Sequence, residues 1–296
     1  MYTVFEFLDS QFTAPLQDFI DSGTSGISSW VTGPLGAALT LYVILYGFLV
    51  LRGSVQEPVM DFAFRAIKLA IILMLVRDAA VYQAYVTSVF FDALPREVSE
   101  ALNTAGAPSA TTFDSLLDKG QSAANDIWAQ AAWPVDPLTS IAGLVVVVVT
   151  FIVASIGYVV SLYARVALAI VLAIGPIFIA LAMFQSTRRF TEAWIAQLAN
   201  FVILQVLVVA IGSLLVSSFA TMFTTVETYS DVLMRPIAVG AVGLASLYVF
   251  YQLPGIASAL AAGGASLNYG YTASRDGHQN TIVRSIGHGW RKLAGR

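Results

Sequence analysis

Residues 138–184 form a 47-residue run with one charged side chain, Arg165, and a Gly175-Pro176 pair in its second half. An α-helix rises about 1.5 Å per residue and bilayer hydrocarbon is roughly 30 Å thick, so about 20 residues make one crossing. The run is too long for one crossing and too little interrupted for the core of a soluble domain. A chain that carries it is expected to fold as an all-α, polytopic membrane protein. Arg165 and Gly175-Pro176 are then the points at which its topology is decided.

Composition agrees. Hydrophobic residues are 57% of the chain and charged residues 11%, where a soluble domain carries about 25% charged. There is no cysteine, which excludes disulfides, thiolate nucleophiles, iron–sulfur clusters and cysteine zinc sites. The opening MYTVFEFLDSQF has neither a basic start nor an early apolar core. A cleavable signal peptide is therefore not expected, and insertion is expected to rely on internal spans.

Five apolar segments stand out, at residues 35–51, 62–76, 138–164, 193–219 and 237–253, with a sixth at 166–184 that contains the Gly-Pro break. The second is short and carries Arg65 and Lys68 early, where long basic side chains can snorkel to an interface. Orientation follows from the basic residues, which concentrate on the cytoplasmic side. Residues 1–34 hold Glu6, Asp9, Asp18 and Asp21 and no basic residue. Residues 77–137 hold eight acidic residues against Arg77, Arg96 and Lys119, and the tail from Gly263 is basic.

With the N-terminus outside, six full crossings leave 5 of 15 basic residues inside, whereas five crossings with 166–184 dipping in and returning leave 11 of 15. Proline removes a helix hydrogen bond and glycine permits a turn, so Gly175-Pro176 is the natural place for that break. The expected architecture is five transmembrane helices plus one re-entrant or kinked segment. Residues 1–34 form a periplasmic amphipathic segment and 35–76 the first two spans. Residues 77–137 form an acidic periplasmic helical loop, 138–262 the remaining bundle, and 263–296 a basic cytoplasmic tail.

Helical stripes recur outside the spans. Phe113, Leu116, Leu117, Ala124, Ile127, Trp128 and Ala131 form one, with Thr111 or Thr112 placed to cap it. Tyr82, Tyr85, Val86, Val89, Phe90 and Leu94 form a second, and Phe5, Leu8, Phe12, Leu16 and Phe19 a third. They read either as helices that meet the bilayer or partners, with Phe12, Phe90 and Trp128 as contacts, or as cover for the chain's own bundle.

Chemistry-bearing motifs are sparse. His278 and His288 stand ten apart in the tail with no third ligand at metal spacing, and Gly263-Gly264 lacks the lysine of a phosphate-binding loop. The pattern points away from an enzyme and calls for no cofactor or metal. Small residues at Gly240/Gly243 and Ala154/Gly157 suit packing within the chain. The run 255–264, with Gly255, Ala257, Ala261, Gly263 and Gly264, suits a neighbouring subunit. Five basic residues in the tail suit anchoring to membrane lipid.

At Val171-Leu172-Ala173-Ile174-Gly175-Pro176-Ile177-Phe178, followed by Phe184-Gln185-Ser186-Thr187-Arg188-Arg189 and Trp194-Ile195-Ala196-Gln197-Leu198, the chain resembles a known family. It looks like the TrbL/VirB-type polytopic inner-membrane subunit of bacterial type IV secretion and conjugation systems. The resemblance covers most of residues 30–270 and implies a multi-pass inner-membrane protein, N-terminus periplasmic and C-terminus cytoplasmic. Arg165, Arg188, Arg189, Trp194 and Gln197 would then lie at the cytoplasmic interface. It further implies a multimer that contributes to translocation of DNA and protein and to conjugative pilus assembly. Its partners would be other inner-membrane and periplasmic scaffold subunits, the secretion ATPases, pilin and minor pilin, with transient contact to the moving substrate. Two other readings stay open from the residues alone: a secondary transporter, and a membrane scaffold that never meets substrate.

Overall fold

The computed structural model describes residues 3–53, 59–101, 109–129, 137–226 and 234–262, and among these every regular element is helical. The helices are α1 (Val4–Leu51), α2 (Val59–Arg77), α3 (Ala79–Tyr82), a π-helical stretch (Gln83–Ala93), α4 (Leu94–Ala101), α5 (Ser109–Ala129), α6 (Pro137–Ala173), α7 (Gly175–Leu181), α8 (Arg188–Val226) and α9 (Met234–Ala261). The basic tail, Gly263 and Gly264 included, lies outside the described residues, as does Ala131.

Among the described residues, four helices are long and apolar enough to cross a membrane: α1, α6, α8 and α9. The 19-residue α2 carries Asp61, Arg65, Lys68 and Arg77, which separates it from them. In α6, five consecutive valines (145–149) would disfavour a helix in water through their stiff χ1 angles. In apolar surroundings, intrahelical bonds are the backbone's only partners, and that requirement overrides propensity.

Two expected boundaries move. The amphipathic start and the first span are one 48-residue helix, α1, with Pro15 and Pro34 inside it. The run 138–164 does not end at Arg165, because α6 continues through it to Ala173. An unpaired arginine would end a span, but this one is neutralised, as described below.

Contacts along α6 read as a ladder. The N-terminal part of α1 runs parallel to α6, with Phe5 on Tyr158, Asp9 on Arg165 and Gly23 on Ala173. Helix α5 runs antiparallel, with Phe113 on Gly157, Gly120 on Thr150 and Trp128 on Gly143. Helix α8 descends the other side through Trp194 on Val171 and Tyr163 on Phe201. Helix α9 returns through Gly243 on Val149 and Phe250 on Gly157. The acidic connection therefore supplies a bundle helix: Phe113, Leu116, Ala124 and Ile127 are buried. Thr111 and Thr112 fall inside α5, which begins at Ser109.

Two apolar cores result. One joins Phe5, α5, the first two-thirds of α6, the second half of α8, and α9. The other joins α1 from Ile20 to Leu35, the end of α2, Tyr82, the last turns of α6, α7, and the start of α8. They meet between Ala164 and Leu168.

Close approach in the first core depends on Gly157. A Cβ there would collide with the Phe113 ring and sit 2.8 Å from that of Phe250. Gly157→Ala should cost about 1–3 kcal/mol by overpacking. Gly240, which has open space around it, should tolerate alanine and gain up to about 1 kcal/mol of helix preference. Thermal unfolding of the two variants in detergent measures the contrast, and equal shifts would contradict the ladder.

Candidate functional site

The break at Gly175-Pro176 creates a specific problem for α6. Leu172 would receive the N–H of residue 176, but proline has none. Ile174 closes the helix on Ile170 at 3.3 Å, and its backbone (φ −86°, ψ 0°) leaves the helical path. An unpaired buried carbonyl costs about 1–3 kcal/mol. The chain supplies side-chain donors instead. The Tyr82 hydroxyl donates to the Leu172 carbonyl at 2.7 Å, and the Trp194 indole N–H donates to the Val171 carbonyl at 2.9 Å.

Past the break the pattern continues. Thr191 Oγ1 donates to the Phe178 carbonyl at 2.6 Å, and Thr187 Oγ1 to that of Leu181 at 2.6 Å. Trp194 also stacks on Phe178, centroids 6.2 Å apart and planes within 6°. Thr187, Thr191 and Trp194 thus form one set of donors along the start of α8, each matched to a carbonyl that the interrupted backbone leaves free. Gly175 admits the two aromatic donors, because a Cβ there would strike the Tyr82 hydroxyl and lie 2.8 Å from the Trp194 ring. Burial pushes the Tyr82 phenol far above its ordinary range, so it acts as a neutral donor.

A second polar feature lies where the two cores meet. Arg165 Nη1 pairs with Asp9 Oδ1, both side chains partly buried. One turn away, the Asp114 carboxylate of α5 accepts from the backbone N–H groups of Phe5 at 3.0 Å and Glu6 at 2.9 Å. The N-cap residue Thr3 supplies no side-chain cap, so a carboxylate from another helix caps α1 and faces the positive end of its dipole. Phe5 is clamped there by Tyr158, ring centroids 4.9 Å apart, and Phe113, 6.3 Å. Asp92, on the solvent-exposed side of the π-helical stretch, also feels Arg165. Crowding by neighbouring segments raises its carboxyl above the usual carboxylate range, while Arg165 and then Arg96 pull it back.

The structure brings together Gly175, Pro176 and Trp194 among the residues singled out by sequence. Arg188, Arg189 and Gln197 stay on the exposed side of α8. Arg188 makes a surface pair with Glu192 at 2.9 Å, and Arg189 lies over the Phe190 ring. Arg165 is elsewhere, with Asp9. The two cannot stand on opposite faces of a bilayer, so placing Asp9 outside and Arg165 at the inner interface cannot both hold. Ala257 is fully buried in the chain's own core and does not face a neighbour, whereas Gly255 has open space and Ala261 is half-buried. Phe12 is exposed, and Phe90 packs on the second core. Trp128 is half-exposed, with its indole N–H donated to the Ser140 carbonyl at 3.3 Å.

Sequence reasoning gave Tyr82 only as a member of a helical stripe and Thr187 only as part of the family motif, and it assigned no role to Asp114 or Thr191. The signal for a partner was present, since a lone arginine in a 47-residue apolar run requires an acid, but eighteen acidic residues offer themselves. The side chains at the break are neutral hydrogen-bond donors. Among the described residues no three His, Cys, Asp or Glu side chains cluster to hold a metal. The chemistry here is positional, holding a broken helix in one shape.

Removing one member of the Asp9–Arg165 pair should destabilise the protein by about 2 kcal/mol or more, and Asp9→Ala with Arg165→Leu together should cost less than Arg165-alone exposure in Asp9→Ala. Tyr82→Phe should cost about 1–3 kcal/mol through the orphaned Leu172 carbonyl. Thermal melts in detergent give all four values. A double variant no better than Asp9→Ala would show that the two charges do not neutralise each other.

A family model described as TrbL/VirB6 plasmid conjugal transfer protein matches residues 39–253, a span that holds the break and all four of its side-chain donors. The type IV secretion system protein VirB6 of Bartonella henselae is 31% identical over 92% of this chain and 84% of that protein. Protein VirB6 of Agrobacterium tumefaciens (strain 15955) is 27% identical over 76% of this chain and 73% of that protein. The capped helix break lies inside the matched region, and the chain belongs to the TrbL/VirB6 family.

Proposed function

We propose that this protein works as a multimeric inner-membrane subunit of a type IV secretion system, contributing to the passage of DNA and protein substrates and to conjugative pilus assembly. The observation that carries the reading is the family match over residues 39–253, joined to four helices long and apolar enough to cross a membrane. A multi-pass member of this family acts through surfaces and shape. The partners would be the system's other inner-membrane and periplasmic scaffold subunits, its ATPases, pilin and minor pilin.

In this reading α2 makes a fifth crossing, the N-terminus is periplasmic and the C-terminus cytoplasmic. Arg165 is taken up inside the bundle by Asp9 and leaves the inner-face count, which stays at 10 of 15 basic residues. Single cysteines at Ala107 and Ser274 in this cysteine-free chain test the orientation. The first should label from the periplasm and the second should not. Periplasmic labelling of Ser274 would reverse the C-terminus.

The capped break is proposed to serve assembly and transfer rather than insertion. In Pro176→Ala, the new N–H would claim the Leu172 carbonyl and displace Tyr82, extending α6 with up to about 3 kcal/mol of regained helix preference. Membrane insertion should be unchanged, while substrate transfer should fall at least tenfold in a complementation assay. Full transfer would mean that the break plays no part in the machine. Crosslinking of this subunit to DNA in transit separates a channel component from a scaffold. Solute movement by the purified protein alone would favour a transporter.

A further inference from the structure

Helix α1 carries nine serine and threonine residues. Seven of them donate their hydroxyl to a carbonyl three or four positions back on the same helix, as Ser22 does to Asp18 at 2.6 Å and Thr32 to Ser28 at 2.7 Å. The two exceptions are Thr24 and Ser28, and they are the two that are buried, at 0% and 3% exposure. Neither hydroxyl has a hydrogen-bond partner. The same local bond is open to both, through the carbonyls of Ile20 or Asp21 and of Thr24 or Ser25. A buried hydroxyl left unpaired is costly. Two side chains that forgo a bond within reach are aimed at something else.

What they face follows from register. Gly23 lies against Ala173, the last residue of α6, and further along Tyr42 meets Phe184, ring centroids 6.5 Å apart. Thr24 and Ser28 stand between these contacts, where α1 packs on the end of α6 and on α7. Ala173 is itself buried, and the break takes both ladder donors from its carbonyl. The residue three positions on is Pro176, which has no N–H. The N–H of Ile177, four positions on, donates to Ile174 at 3.2 Å. Tyr82 and Trp194 serve Leu172 and Val171 instead. Among the described residues no side chain brings a donor to the Ala173 carbonyl. Helix carbonyls point toward the C-terminus, so this one points past the end of α6, in the direction α1 runs from Gly23 to Ser28.

Two donors and one acceptor thus converge on one buried place. Residues one helical turn apart have Cβ atoms about 5–6 Å apart, and an oxygen about 2.8 Å from each hydroxyl bridges that gap. A buried water typically makes about three hydrogen bonds. The acids of this stretch, Asp18 and Asp21, lie on the exposed side of α1, so no charge on this face recruits a cation.

We infer that an internal water molecule is bound between α1 and the end of α6, accepting from the Thr24 and Ser28 hydroxyls and donating to the Ala173 carbonyl. It completes the capping of the break and makes α1 a contributor to it, beside the Tyr82 connection and α8. The inference concerns the break itself and is independent of the secretion role.

Thr24→Val with Ser28→Ala removes both hydroxyls at nearly constant shape, and the sign of the result decides. Hydroxyls with nothing to bind are relieved by apolar replacements of the same shape, so the melting temperature in detergent would hold or rise. With the water in place the Ala173 carbonyl is stranded, and the melting temperature should fall by about 3 °C or more. Thr24→Ser, which keeps the hydroxyl, and Ser29→Ala, on the exposed side, should melt as the parent does. A double variant as stable as the parent overturns the inference. X-ray radiolysis of the full-length protein, which oxidises side chains beside bound water, supplies a readout that stability does not move. Buried Pro176 should be labelled in the parent and in Thr24→Ser, and at least fivefold less in the double variant. A parent without that label, or a label unchanged in the double variant, also overturns it. Melts in sodium, potassium and choline chloride of equal ionic strength should coincide. A sodium-specific rise that the double variant abolishes would make the occupant a cation and overturn the water.

Discussion

The carbonyl of Leu172 has no helical donor, because the residue four positions on is proline, and much of the second core is arranged around that vacancy. In water such a group would be solvated at little cost; in an apolar core it must be paired or the break cannot exist. Tyr82 comes from the acidic connection to pair it, and Trp194 comes from α8 to pair its neighbour, Val171. The requirement therefore ties together three stretches of chain far apart in sequence. It also explains why residue 175 is glycine, since both aromatic donors occupy the space of its missing side chain.

Charge is handled by the same logic. Arg165 allows α6 to run on because Asp9 neutralises it, and Asp9 arrives because Asp114 holds the start of α1 by two backbone N–H groups. A buried ion pair adds little to stability relative to apolar residues of the same size, but leaving one member alone is costly. Such a pair acts mainly to select which helices lie together. Here it fixes the register of α1 against α6 at the level where the two cores meet.

A break stabilised from three elements has a defined shape, because the freed carbonyls of Leu172, Val171 and Phe178 are each paired by a donor from another stretch of chain. The side chains at the break are neutral donors, and the basic residues nearby on α8 remain on its exposed side. The capped break lies within the region matched by the TrbL/VirB6 family, which makes it the part of the chain where family membership and internal geometry coincide.

Helical class, the apolar runs and the position of the break were legible from residues alone, because hydropathy, chain rise per residue and the missing N–H of Pro176 are local properties. Arg165 was expected at the cytoplasmic interface, and its pairing with an acid inside the bundle came from the structure. It was not legible that Phe113, Leu116 and Ile127 of an acidic connection would be bundle residues rather than surface cover. An amphipathic stripe says that one face is apolar but not what lies against it. Composition changes from polar to apolar at residue 35, while the helical backbone of α1 passes through that point without a break. Those choices were made by tertiary structure, since the matching of a buried carbonyl to a donor, or of a carboxylate to a guanidinium, is a property of two distant segments at once.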